Sequence, residues 1–314
     1  MIKILTSLGC AMLLTVGAAN ASTSSDRLER IALPEGGVYP NGITHASDGT
    51  LYVGQITQGG VLRRSPGGEW SKLHEGAPDI FAGTSLRLDR ERNVLWGASP
   101  DFLPEGEPRT PRIFALDANT GEVLQTTLLT LGFTNDIAVE PEGTILITES
   151  NGGRLLRLAR GSAEFETVLQ DHRLTDETGI GAGGIARADN GTVAIGNFSS
   201  GRLYLYENGT LRELELPRRI ENPDGMRFAP DGSLILLESA VQSGNGRVLR
   251  IAEPLAAGQR NIEVIAEGLI SPVNLTVADD GTAYVTESHI RHRMVDGLED
   301  QRPSSFHIVV VPLS

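Results

Sequence analysis

Asn41, Asn135 and Asp224 each stand eight residues ahead of a recurring turn glycine, and Glu149, Glu238 and Glu287 each stand six residues behind one. All six side chains offer oxygen. Oxygen donors gathered at one place suit a hard cation such as Ca²⁺, which takes about six to eight of them in irregular geometry. A carboxyl such as Asp224 can also take a proton from an attacking water as a general base, and His172 and His289 are further candidate bases. Zinc is not indicated: the one Cys is Cys10, and His289 and His292 have no third ligand near them in sequence. No GxSxG motif is present, which counts against an α/β-hydrolase nucleophile. The segment GIGAGGI at 179–185 precedes a strand where a phosphate loop needs a helix, so it is read as a close approach of backbones. The same residue types also have plainer uses. Asp and Asn at strand starts cap turns, and strand-end Glu bonds neighbouring backbone.

The elements that place these residues form a repeat: a short apolar strand, a turn centred on Asp-Gly or a relative, and a second apolar strand. Copies begin at Asn41, Thr84, Asn135, Gly183, Asp224 and Val273. Gly49, Gly143, Gly191, Gly232 and Gly281 hold the turns, with Asn93 in the second copy; Gly and Asn suit the positive φ that such a turn requires. Five copies continue into a third and a fourth strand. The sixth ends in FHIVVVPLS, and the N-terminal run DRLERIALP is predicted to supply its missing strand. Sustained helical periodicity is lacking after the N-terminal leader. The expected fold is all-β: a six-bladed β-propeller of four-stranded blades, its ring closed by N- and C-terminal strands. In each hairpin one strand descends and the other returns. Both sets of oxygen-bearing residues are therefore expected at the mouth opposite the turns, with Asn41, Asn135 and Asp224 nearest the axis. Two long connections on that side, from Pro100 and from His289, are candidate lids.

Met1 to Ala21 has the pattern of a secretory signal peptide: Lys3, an apolar run from Ile4 to Val16, and Ala19-Asn20-Ala21 before the expected cut. The expected organisation is a leader over 1–21 and a propeller domain over 22–314. The protein is expected to be exported, periplasmic or extracellular, with no membrane attachment after cleavage. Its 27 Lys and Arg against 40 Asp and Glu give a net charge of −13, which opposes binding to nucleic acid. The expected partner is a small molecule.

The series of repeats resembles the senescence-marker-protein/gluconolactonase (regucalcin-like) family, in the superfamily of paraoxonases and strictosidine synthase. NPDGMRFAPDGSLIL, around Asp224, is the closest local match, and the NDI of the third copy is a second. The resemblance implies a divalent cation, usually calcium, at the tunnel mouth, and hydrolysis of lactones or esters. It places Asp224 at the family's metal carboxylate and Asn135 at an asparagine that binds metal or substrate. Asn41 stands where many members have a metal-binding glutamate, and Gly183 where they have an asparagine. These two departures thin the metal shell. The expected function is a metal-dependent lactonase or esterase, with Asn41, Asn135 and Asp224 on the metal and Glu149, Glu238 and Glu287 as a second ring. Two alternatives stay open: a non-catalytic propeller that binds a small molecule or a protein, and a metal-free enzyme of the strictosidine-synthase type.

Overall fold

The structure is a computed structural model that describes residues 23–24, 27–103, 107–129, 132–177 and 179–313. The leader expected over 1–21 lies outside the described residues. Among these residues the strands form six antiparallel sheets around an axis, each of four strands, one of them extended by a fifth. Their inner strands are Pro40–His45, Ser85–Asp89, Thr134–Val139, Ala182–Arg187, Pro223–Phe228 and Pro272–Val277. Blades one to six are numbered in that order. The expected closure is present: Glu29–Ala32 pairs antiparallel with His307–Pro312 and completes blade six. The added fifth strand, Thr23–Ser24, runs parallel to the outer strand of blade five.

Alternation of side chains explains the ring. Each strand presents one set of apolar residues to the blade before it and the other set to the blade after. Ile43, Leu86, Ile137, Ile185, Met226 and Leu275 hold one position of the six inner strands, and all are fully buried. The core is accordingly divided among the blade junctions; the cluster of Ile137, Ile145 and Leu156 with Trp96 and Ile113 joins blades two and three. With no cysteine after Cys10, stability rests on these junctions, where truncating a buried Ile or Leu to Ala costs about 2–5 kcal/mol. The hairpin turns behave as their sequence requires, with Gly49 at φ 90° and Asn93 at φ 54°.

Five inner strands carry a register shift at their mouth end, between Pro40 and Ile43, Thr134 and Ile137, Ala182 and Ile185, Pro223 and Met226, and Pro272 and Asn274. Such a bulge re-aims a side chain. Asn41, Asn135 and Asp224 all sit inside these shifts. The inner strand of blade two pairs without a shift.

On the turn side, His45 ends its inner strand buried, with Nδ1 2.7 Å from Thr276 Oγ1 and Nε2 against the Arg90 guanidinium. Burial, then the Arg90 charge, lowers its pKa from 6.5 to about 4. The unfolded chain therefore binds a proton that the folded chain refuses between these values, so stability falls as pH drops through that window. Lowering the pH from 7 to 5 is expected to cost about 2 kcal/mol from this group alone. Urea unfolding of the native protein and His45→Gln at the two pH values checks it. Equal losses in both proteins would clear His45 of the effect.

Candidate functional site

The bulged strand ends open onto a cavity of about 50 Å³ at the mouth of the tunnel. Asn41, Asn135 and Asp224 all line it, together with Thr84 and Ser239. The rest of the lining is apolar. Phe133, Phe198, Ile56, Ile180, Val241 and Val273 form the wall. Phe102, Ile290 and Met294 come from the two long connections, which thus cover the mouth as lids do. Phe102 packs on Phe133 with ring centres 5.6 Å apart. Ile290 opens a short 3₁₀ turn, Ile290–Arg293, that the sequence did not suggest.

Asp224 is held by close backbone packing. A Cβ on Gly184 would lie 1.9 Å from the Asp224 carbonyl oxygen, so the blade-four strand can approach only as glycine. Gly181 is hemmed in likewise, 2.2 Å from the Leu174 carbonyl. Gly181 and Gly184 therefore serve close backbone contact, as expected of this segment, whereas Gly183 has only ordinary neighbours at 3.5 Å or more. Ser239 Oγ lies 3.2 Å from Asp224 Oδ2 and 2.5 Å from the Pro272 carbonyl. Its single proton can go to the carboxylate, or to the carbonyl when Asp224 is protonated. Burial pushes the Asp224 carboxyl well above its usual value of 3.8, and the Asp136 charge adds to the rise against the bonds from Ser239 and Gly225.

Beneath the cavity the tunnel is filled by charge. Asp136 accepts two bonds from Arg87 Nη2, at 2.6 and 2.8 Å, and one from Ser85 Oγ at 2.6 Å. Arg227 Nη1 lies 3.5 Å from its other side. Asn274 Oδ1 takes Arg87 Nη2 at 3.3 Å and Arg227 Nη2 at 3.0 Å. These side chains come from blades two, three, five and six, so they tie the ring across its axis. The repeat count places Ser85 beside Asn41; without a bulge in blade two, Ser85 turns into this cluster and Thr84 lines the cavity.

The glutamates do not form a second ring. Glu149 is buried and accepts from Phe133 N at 3.1 Å, Asn151 N at 2.9 Å and Arg154 Nε at 2.8 Å. Glu238 takes Glu221 N at 2.8 Å and is clamped by Arg218 at 2.5 Å and Arg247 at 3.0 Å. Glu287 takes Ile270 N at 2.7 Å. Gln55 holds Val38 N at 2.9 Å in the same way, and Ser99 holds Phe81 N at 3.0 Å. A side chain at the end of the second strand thus latches the loop that enters its own blade. Burial raises the Glu238 carboxyl, but Arg218, the Glu221 N–H and Arg247 outweigh it and hold the group below its ordinary value. The candidate bases also lie outside the cavity. The His172 side chain is 93% exposed. His289 turns its Nε2 toward Glu287 Oε2, 3.7 Å away.

The donors do not fit a resident divalent cation. The cavity offers one carboxyl, two amides and two hydroxyls among nine apolar side chains, where Ca²⁺ asks for about six to eight oxygens and favours carboxylates among them. A dication paired with a single carboxylate would leave net charge in apolar surroundings. Among the described residues, no three His, Cys, Asp or Glu side chains gather as a metal cluster.

No family profile matches the chain, and no curated protein matches it. Solved structures do. Regucalcin from Agrobacterium tumefaciens, described as a calcium-binding protein, is 16% identical over 93% of this chain and 96% of its own, with a TM-score of 0.64. A luciferin-regenerating enzyme is 13% identical over 90% and 95%, with a TM-score of 0.63. Virginiamycin B lyase from Staphylococcus aureus is 17% identical over 83% and 82%, with a TM-score of 0.59. The chain shares their six-bladed propeller fold. Their described activities differ, so the fold does not choose among reactions.

Proposed function

We propose that the protein is a hydrolase of the lactonase or esterase type that acts on a small, largely apolar molecule in the tunnel-mouth cavity, without a resident metal. The observation that carries this reading is one carboxyl of raised pKa, Asp224, in an apolar cavity that it shares with the amides of Asn41 and Asn135. A carboxylate whose pKa is raised toward neutrality is a stronger base than an ordinary one. In this reading Asp224 takes a proton from water as the water oxygen bonds to the carbonyl carbon. The oxygen that becomes negative is met by amide N–H groups of Asn41 and Asn135. Collapse breaks the acyl C–O bond, and Asp224 returns the proton to the departing alkoxide. The apolar wall excludes bulk water and leaves few partners for the hydroxyls of a sugar, so polyhydroxylated lactones are disfavoured. The leader-like segment 1–21 supports action outside the cytoplasm.

A second reading, a carrier that holds its ligand unchanged, is favoured by the predominance of apolar lining. The test is a panel of aliphatic and aromatic esters and lactones, with glucono-lactone as the polar control, assayed after exhaustive chelation. Turnover of apolar members that persists under chelation is the expected result. Turnover that requires added Ca²⁺ would overturn the metal-free mechanism. A ligand retained through purification, with no turnover of the panel, would select the carrier.

A further inference from the structure

The connection from His289 to Phe306 does more than cover the cavity. Met294 is also a wall of a second, outer pocket of about 660 Å³ that opens to solvent between this connection and blade one. The floor of the outer pocket is Tyr39 and His292, both buried, with Tyr39 Oη 3.2 Å from His292 Nε2. Two cations converge on the same ring: the guanidinium carbons of Arg293 and Arg302 lie 5.8 and 5.7 Å from the Tyr39 centroid. Arg291, by contrast, turns away to the carbonyls of Val241 and Gln242.

Among the described residues, the acids that line this pocket are Asp296 and Glu299, and both are exposed at its rim. Glu299 Oε1 is also engaged by Gly297 N at 3.0 Å. Charges on a wet rim are screened, and their pairings are weak. Arg293 is half-buried beside an aromatic floor, where screening is weaker, while Arg302 is exposed at the rim. A guanidinium presents a planar fork of donors that matches carboxylate and phosphate oxygens.

We propose that the outer pocket is an anion subsite: the substrate carries a carboxylate or phosphate group that reaches past Met294 to Arg293 and Arg302, while its apolar body occupies the inner cavity. The substrate class is thus an apolar ester or lactone with an acidic end. This rests on the hydrolase reading for its catalytic half only.

The test compares kcat/KM for the p-nitrophenyl hemi-ester of glutaric acid with that for p-nitrophenyl butyrate. The native protein is expected to prefer the hemi-ester. The preference should fall about tenfold in Arg302→Ala and in Arg293→Gln, through KM, as expected for loss of one charged hydrogen bond. Arg302→Lys, which keeps the charge, should recover part of it. Inhibition of the hemi-ester reaction by inorganic phosphate or by acetate identifies the favoured anion, and inhibition by neither argues against the subsite. A preference that both variants leave unchanged overturns it. Calorimetry of monomethyl glutarate binding to the Asp224→Asn protein separates the two readings. Binding that Arg302→Ala weakens keeps the subsite even if no ester is ever turned over, in which case only the hydrolase reading falls. Absence of binding removes the subsite.

Discussion

Replacing Asp224 by Asn is expected to lower turnover of any ester or lactone substrate by about 10²–10⁴-fold, the usual worth of a positioned general base. The substitution keeps the shape and removes the charge, so the fold should survive. Stability should not fall, because burial and the Asp136 charge both penalise ionised Asp224 in the native state. A variant that is dead but as stable as the native protein marks a group kept for chemistry at the expense of the fold. The pH profile is the sharper readout. A base works when deprotonated, so the rate of the native protein should rise with pH through the pKa of Asp224. That rise should lie above the usual carboxylate value of 3.8, since burial raises the group. Residual activity in Asp224→Asn should lack this limb. Unchanged turnover in the variant would exclude Asp224 as the base.

Asp136→Ala is expected to be the most destabilising single change in the tunnel, by about 3–5 kcal/mol, the range for stripping one partner from a buried ion pair. Arg87 is buried, and both its short side-chain bonds to a carboxylate end on Asp136. Arg227 approaches the same carboxylate. Without it, the two guanidinium groups would keep only neutral acceptors, the Asn274 side-chain oxygen and the carbonyls of Ile43, Leu86, Ile185 and Met226. At about 2–4 °C per kcal/mol for a domain of this size, the melting temperature should drop by roughly 6–20 °C. Asp136→Asn should cost nearly as much, because the charge is what is lost. Restoring a carboxylate across the axis, in Asp136→Asn combined with Asn274→Asp, should recover part of the loss, since Asn274 Oδ1 already accepts from both arginines. Thermal unfolding of the three variants decides it. A loss below about 1 kcal/mol for Asp136→Ala would mean that water or rearrangement satisfies the arginines.

The blades were legible in the sequence because one physical requirement recurs. A tight turn needs positive φ, so Gly49, Gly143, Gly191, Gly232 and Gly281 mark the hairpins, and Asn93 substitutes where glycine is missing. The closing strand was legible because the last copy lacks a partner. The two-residue strand Thr23–Ser24 was not, since two residues carry no period. In the site, the turn offset correctly placed Asn41, Asn135 and Asp224 at one mouth. It could not give the direction of a side chain. Glu149, Glu238 and Glu287 end their strands where expected, yet their carboxylates turn back to loop N–H groups. The aromatic and aliphatic wall was hidden because Phe102, Phe133 and Ile180 lie in connections, where no alternation marks the inward face. One signal for the buried charges was present and passed over. Arg87 and Arg227 hold the same place in the inner strands of blades two and five, which stand opposite each other in a ring of six. A charge repeated at that place points toward the axis, where only another charge can receive it.

The cross-axis cluster of Arg87, Asp136, Arg227 and Asn274 makes the tunnel a blind alley. In the reaction proposed above, the acid and the alcohol would then leave by the route the next substrate needs. Each turnover then clears its own doorway, and accumulated product competes with substrate for it. Movement of the Phe102 and Met294 connections, more than the depth of the channel, would set the tempo of that exchange.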